Sequence, residues 1–171
     1  NGIGEPLLNP HLQTYIRTAR KLMPASGWIG FQSNGLLMTK QRAVSLIDAG
    51  LDKVCISIDA ISPEQFRKMR EGGEVDAVDM ALSALNSART LCNRPDVKIG
   101  IEFVAMRSNI SGLPETLEWA ASRGASFAIV THVLPYDELH AHEALFCNIS
   151  DQALVLYNSW RRKAIQIGID I

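Results

Sequence analysis

The sequence predicts an α/β protein in which parallel strands alternate with crossover helices. Short β-branched runs such as "KVCISID" (53–59) and "VKIGIEFVA" (97–105) alternate with longer segments of helical periodicity. Turn and capping residues separate the two kinds of segment. This alternation is the pattern of a parallel sheet with helices on its faces. With 171 residues and no low-complexity tract, we expect a single domain over residues 1–171.

The elements follow in order. Asn9–Pro10 predicts the start of a first helix, and "WIGFQSNG" (28–35) predicts a first strand. Thr39 is typical of a helix N-cap, and Gly50 of the end of that helix. The remaining predicted elements are the strand 53–59, a helix that starts after the capping box Ser62–Gln65, a helix from about Asp76, the strand 97–105, a helix over 113–123, the strand 126–133, a helix from Ser150, and a strand that begins in "IGIDI" at residues 167–171.

Two architectures fit this alternation: an open doubly wound sheet and part of a (β/α) TIM-like barrel. Each strand has one apolar face, and its other face carries polar groups. An open sheet that is covered on both faces is usually apolar on both, so the pattern favours the barrel, whose polar groups share a concave interior. The two faces are Val54, Ile56 and Ile58 against Cys55, Ser57 and Asp59 in one strand, and Ile99, Ile101 and Phe103 against Gly100, Glu102 and Val104 in the next.

Polar residues stand at the carboxyl ends of four successive predicted strands, the edge at which parallel α/β folds build ligand sites. Their hydroxyl, amide and carboxylate groups suit a neutral or zwitterionic ligand with ribose-like hydroxyls and an amine. There is no G-x-G-x-x-G motif and no P-loop lysine, and Arg107 is the basic group nearest these ends. The residues are Ser33, Asn34, Ser57, Asp59, Glu102 and His132.

Composition excludes several classes of function. The net charge of −1 offers no electrostatic footprint for nucleic acid or an anionic membrane. No apolar run approaches the roughly 20 residues of a membrane helix. Three dispersed cysteines indicate a reducing compartment, so we expect a cytoplasmic protein. His140, His142 and Glu143 lack the helical spacing of zinc ligands, and we predict no metal site within the chain.

Four segments in a fixed order carry a family resemblance: "GIGEPLL", "FQSNGLLMT", "VCISIDA" and "VKIGIEFVAMRSN". In order and spacing they resemble the radical SAM (S-adenosylmethionine) family over about residues 2–135. The resemblance implies a partial (β/α)6 barrel that binds S-adenosylmethionine at its carboxyl edge. It implies cofactor-binding roles for Gly2, Gly4, Glu5 and Pro6 toward the amino group, for Ser33 and Asn34 at the end of the third family strand, for Ser57 and Asp59 toward the ribose or carboxylate, for Glu102 toward the ribose, and for His132 beside the adenine.

The family's C-x3-C-x2-C loop, which binds a [4Fe–4S] cluster, has no counterpart in this sequence. Cys55, Cys92 and Cys147 are too far apart to replace it. We therefore expect a fragment truncated on its N-terminal side, with the cluster ligands upstream, and inactive in isolation. The first strand of such a fragment has an unpaired outer edge, which predicts self-association.

The chemistry that the resemblance implies is reductive cleavage of S-adenosylmethionine, which yields a 5′-deoxyadenosyl radical that abstracts hydrogen from a small-molecule or peptide substrate. The residues of this chain would bind and orient, with no catalytic acid or base among them, and an external donor would reduce the cluster. One alternative is a non-catalytic α/β module that binds a nucleoside-like ligand. Another is an aldolase or isomerase barrel, which Lys53 and Lys98 disfavour because they begin their strands.

Overall fold

Four parallel strands form the centre of the molecule. The computed structural model of the chain describes residues 4–70, 73–145 and 151–171. Within them the sheet has the order β1-β2-β3-β4, the same as the order along the chain. The strands are β1 (Gly30–Ser33), β2 (Lys53–Ser57), β3 (Lys98–Ala105) and β4 (Phe127–His132).

The strand order distinguishes the partial barrel from the open doubly wound sheet, the two architectures that fit the sequence. A doubly wound sheet reverses its strand order at a switch point, whereas a barrel adds each strand beside the last. Here each strand pairs in parallel with its successor, with registers that begin at Gly30 opposite Lys53, Lys53 opposite Lys98 and Gly100 opposite Phe127. The prediction of a partial barrel with crossover helices is confirmed.

Helices connect the strands on one side of the sheet. No helix in the described ranges is long and apolar enough to cross a membrane. Pro6–Leu8 and Ile110–Gly112 form short 3-10 turns. The helices are α1 (Leu12–Leu22), α2 (Lys40–Asp48), α3 (Pro63–Met69), α4 (Val75–Leu91), α5 (Leu113–Ser122), α6 (Glu138–Glu143) and α7 (Asp151–Gln166).

The core lies between the sheet and its helices. Side chains that alternate along β2 and β3 are fully buried, and they pack with the inward stripe of α4. On the opposite face, Lys53, Ser57 and Glu102 are only partly buried. The strands therefore have one apolar and one polar face, as their alternation predicts. The buried set includes Val54, Ile56, Ile99, Ile101 and Phe103 from the strands and Val78, Ala81, Leu82, Leu85 and Ala88 from α4.

Two local predictions meet different outcomes. The prediction of a capping box at Ser62–Gln65 is wrong, because the Ser62 side chain makes no capping hydrogen bond. The Gln65 side-chain amide instead donates a hydrogen bond to the Ser108 carbonyl at 2.8 Å. The Gln65 side chain thus bonds to a residue distant in the sequence instead of capping its own helix. The strand expected in residues 167–171 appears as a parallel bridge from Asp170 to Phe127, with the Ala128 N–H donating to Asp170 at 2.7 Å.

Gly100 allows β3 and β4 to pack on the concave face of the sheet. A Cβ atom at this position would lie 2.4 Å from the ring of Phe127, which is itself buried beneath the Lys53 ammonium. The atoms in contact belong to the rigid Phe127 ring, which cannot bend aside as the end of a flexible side chain could. The missing side chain at Gly100 is therefore a packing requirement of the sheet.

We predict that Gly100→Ala lowers the free energy of unfolding by about 1–3 kcal/mol, because the added methyl group displaces Phe127. Gly112→Ala is the matched control, since a Cβ there meets no atom within 4 Å and the backbone already has a right-handed helical conformation. That change should shift stability by less than about 1 kcal/mol. Urea denaturation measures both, and equal losses would contradict the packing account.

Candidate functional site

A cleft of about 440 Å³ opens at the carboxyl ends of β1, β2 and β3. Parallel strands deliver their last residues to one edge, so residues far apart in sequence meet there. Six of the residues proposed from the sequence line this cleft. Its lining consists of Gly4, Glu5, Gln32, Ser33, Asn34, Ser57, Arg70 and Glu102.

Glu5 binds the end of β1 through both carboxylate oxygens. Oε1 accepts hydrogen bonds from the Ser33 hydroxyl at 2.7 Å and from the Leu7 N–H at 2.9 Å. Oε2 accepts the Asn34 N–H at 2.8 Å. Charge-assisted bonds of this kind are stronger than neutral ones. The carboxylate thus holds the turn before the first 3-10 helix against the end of the strand.

The local sequence explains this geometry. Gly4 has φ +114°, a conformation that L side chains rarely adopt, and it turns the chain so that Glu5 points at β1. Pro6 occupies the first position of the 3-10 turn, where a missing N–H costs nothing. Pro6 is outside the cleft lining, and Gly2 lies outside the described residues.

Ser57 and Glu102 form the second polar pair of the cleft. They are direct partners in the register of β2 and β3, and the Ser57 hydroxyl donates to Glu102 Oε2 at 3.3 Å. In the described part of the chain Glu102 makes no ion pair, so Arg107 and Lys98 do not neutralise it. The Glu102 carboxylate therefore retains acceptor capacity that faces the cleft.

Asp59 lies behind the cleft wall. It is 5% exposed; Oδ1 accepts the Val104 N–H at 2.8 Å, and Oδ2 pairs with Arg70 Nη2 at 2.7 Å. Asn109, which is also buried, donates to the carbonyls of Asp59 and Val104. Asp59 therefore fastens the exit of β2 to β3, and its proposed contact with a ligand ribose or carboxylate stays a prediction.

His132 ends β4 and stabilises a loop. Its Nε2 accepts the Leu145 N–H at 2.8 Å, so that nitrogen carries no proton in this arrangement. His132 does not line the cleft, and its placement beside an adenine ring stays a prediction. In the nearby segment the His140 ring contacts Asp137, while Glu143 accepts the Ser108 N–H. The described residues contain no group of side chains suited to hold a metal ion.

The described cysteines do not fit a [4Fe–4S] cluster. Burial, and then the negative charge of Glu102, raise the pKa of the Cys55 thiol from 9.0 to about 12. Cys55 lies inside β2, and the described residues place no further cysteines beside it to complete the ligand set of a cluster. Cys92 ends α4 with its sulfur near the Val44 carbonyl, and Cys147 lies outside the described residues.

Comparison with known proteins identifies the family. The radical SAM superfamily model matches residues 2–120, and the chain belongs to that superfamily. It is 30% identical over 140 residues to a probable GTP 3′,8-cyclase of Methanococcus maripaludis, which covers 81% of this chain and 44% of the relative. It is 33% identical over 136 residues to a probable GTP 3′,8-cyclase of Methanococcus aeolicus, which covers 79% of this chain and 42% of the relative. The chain thus spans about half the length of the curated relatives it matches.

Solved structures share the fold. SuiB of Streptococcus suis bound to S-adenosylmethionine superposes with a TM-score of 0.71 at 12% identity, over 98% of this chain and 37% of SuiB. A domain of the pyruvate-formate lyase-activating enzyme from Bacteroides vulgatus gives a TM-score of 0.64 at 13% identity, over 98% of this chain and 92% of that domain. The sheet and helices described above are those of a radical SAM partial barrel.

Sequence reasoning missed Gln32 and Arg70, which line the cleft, and Asn109, which lies behind its wall. Arg70 follows α3 in a charged stretch, together with Arg67 and Lys68, that resembles any solvated helix end. Asn109 lies within the quoted segment "VKIGIEFVAMRSN", but its type alone did not distinguish it from an ordinary loop asparagine. Only the fold shows that Arg70 and Asn109 meet Asp59 from two sides.

We predict that Glu5→Gln destabilises the protein by about 1–3 kcal/mol, because the amide cannot accept all three hydrogen bonds and sets a donor against a donor. Glu64→Gln, on the exposed surface of α3, is the matched control and should leave stability unchanged within error. Thermal denaturation monitored by circular dichroism measures both. Equal stability of the two variants would show that the Glu5 hydrogen bonds do not hold the turn.

We predict an alkaline loss of stability that depends on Cys55. The folded protein keeps the thiol proton that the unfolded chain releases above pH 9, so this contribution is complete below pH 9 and is lost as the pH rises to 12. Across this range the free energy of unfolding falls by about 1.4 kcal/mol per pH unit. Urea denaturation of wild type and Cys55→Ala should give curves that converge across this window. Parallel curves would contradict the raised pKa.

Proposed function

We propose that this chain forms the S-adenosylmethionine-binding part of a radical SAM enzyme. The observation that carries the proposal is the meeting of three sequence motifs at one strand edge. The Gly4–Glu5 turn, the Ser33–Asn34 strand end and the Ser57–Glu102 pair all line one cleft. Each motif alone is an ordinary turn or strand end, and their convergence supports a shared ligand.

The cleft suits this ligand in charge and in hydrogen bonding. Its charged lining residues, Glu5, Glu102 and Arg70, sum to a negative charge. S-adenosylmethionine carries a net positive charge, from its sulfonium and ammonium groups against one carboxylate. Ser57 and Glu102 offer a hydroxyl and a carboxylate to ribose hydroxyls, while the chain near Gly4 offers backbone carbonyls to the ammonium. These residues bind and orient the ligand.

In radical SAM chemistry a [4Fe–4S] cluster reductively cleaves S-adenosylmethionine, which then supplies the radical that abstracts hydrogen from a substrate. Neither Cys55 nor Cys92 fits that cluster, so we propose that its ligands belong to another part of a longer protein and that the 171-residue chain is inactive alone.

GTP is the first substrate to test, because the relatives are named GTP 3′,8-cyclases. The negative cleft lining implies that its triphosphate is held elsewhere.

We predict that the full-length protein, reconstituted anaerobically with iron and sulfide and reduced, converts S-adenosylmethionine to 5′-deoxyadenosine. Glu102→Gln should reduce the yield at subsaturating S-adenosylmethionine, because it weakens the acceptor that faces the cleft. Glu115→Gln, on the exposed side of α5, should not. Chromatography of the quenched reaction measures the product. A wild-type protein that leaves S-adenosylmethionine intact would favour the alternative, a non-catalytic module that binds a nucleoside-like ligand.

We also propose that the outer edge of β1 pairs with another strand. In the described part of the chain β1 pairs on one side only, with β2. The 171-residue chain should therefore self-associate, since unpaired backbone groups of an edge strand recruit a second copy. Size-exclusion chromatography with light scattering tests this, and a monomer at micromolar concentration would contradict it.

A further inference from the structure

A second cavity, of about 230 Å³, lies on the concave face of the sheet near the residues that begin β1 and β2. Gln32 lines both this cavity and the cleft described above, so the two spaces share a wall on the same face. The proposed function gives the second space no role. We call it the floor cavity, and its walls include Trp28, Gly30, Gln32, Lys53, Cys55 and Ile129.

Lys53 supplies the charge of the floor cavity. Its Nζ atom lies 4.0 Å from the centre of the Phe127 ring and 5.7 Å from the centre of the Trp28 ring, and aromatic rings attract a cation in this range. No ion pair among the described residues includes Lys53. This partly buried ammonium therefore keeps N–H donors that no carboxylate of the described chain accepts.

The other walls of the floor cavity carry no charge. The Trp28 ring lies against the start of β1 because Gly30 has no side chain, and a Cβ atom at Gly30 would lie 3.1 Å from that ring. Ile129 of β4 adds apolar surface. Cys55 is buried, and its raised pKa keeps the thiol protonated near neutral pH, so it adds no negative charge beside Lys53. The floor cavity thus combines one ammonium group with largely apolar walls.

We propose that the floor cavity binds a small aromatic carboxylate, with the carboxylate group at the Lys53 ammonium and the ring against the apolar walls. A cavity of about 150 Å³ holds a benzene ring, whereas drug-sized ligands occupy about 300 Å³ or more. The volume of about 230 Å³ therefore suits one substituted ring. An aromatic ring also packs favourably against Trp28.

The single charge of the floor cavity selects the kind of anion. Because Lys53 is the only charged residue in the described lining, a singly charged carboxylate matches this site better than a multiply charged phosphate. A neutral ring would leave the ammonium without an anionic partner. This inference goes beyond the proposed function, because it requires neither S-adenosylmethionine nor an iron–sulfur cluster.

The test compares benzoate with benzamide, its neutral counterpart, in ligand-observed NMR titrations of the full-length protein without S-adenosylmethionine. The wild-type protein should bind benzoate at least about tenfold more tightly than benzamide. Lys53→Met should lower the affinity for benzoate about 10- to 100-fold and that for benzamide less than about threefold, because benzamide lacks the charge. Lys98→Met is the matched control: Lys98 pairs with Lys53 in the strand register but is exposed and outside the lining. It should change either affinity less than about threefold.

A loss that is confined to benzoate and to Lys53→Met supports the proposal. Equal losses in Lys53→Met and Lys98→Met would show a general effect of surface charge and would overturn it. Equal affinities of the wild-type protein for the two ligands would overturn it even if Lys53→Met fails to fold. A wild-type protein that binds neither ligand would also overturn it, and would indicate that another part of the longer protein fills the cavity.

Discussion

The carboxylate of Glu5 is the interaction on which the cleft depends. Its three hydrogen bonds join a glycine turn to the end of β1. Ser33 extends this contact, because its hydroxyl donates to Glu5 and accepts the Gly35 N–H at 3.0 Å. One charged group thus fixes two chain segments about 28 residues apart in the sequence. Leu7, in the same turn, is buried in the core and adds an apolar contact to these hydrogen bonds.

The rest of the site follows from the parallel sheet. Because β2 and β3 run side by side with Ser57 opposite Glu102, their polar face delivers a hydroxyl and a carboxylate to the same edge. Behind that edge, Asp59 and Asn109 tie the strand exits together through buried hydrogen bonds. The buried pair joins the strand exits, and the partly buried pair, Ser57 and Glu102, faces the cleft.

The strands and their two faces could be predicted from the sequence because period-two alternation records directly which side chains are buried. Ser33, Ser57 and Glu102 could be placed at the site because the carboxyl ends of parallel strands always share an edge. The ion pair between Asp59 and Arg70 could not be predicted, because it joins the end of α3 to a residue that follows β2 and no local sequence pattern records such a contact. The Gln65 contact with Ser108 was missed for the same reason: no local pattern records a partner 43 residues away.

The most direct test of the account is a structure of the full-length protein with S-adenosylmethionine. We predict the ligand in the cleft between Glu5 and Glu102, with its ribose at Ser57–Glu102. The Glu5 hydrogen bonds to Ser33 and Asn34 should remain intact in that complex. A ligand bound elsewhere, or a complex in which Glu5 leaves the end of β1, would contradict it.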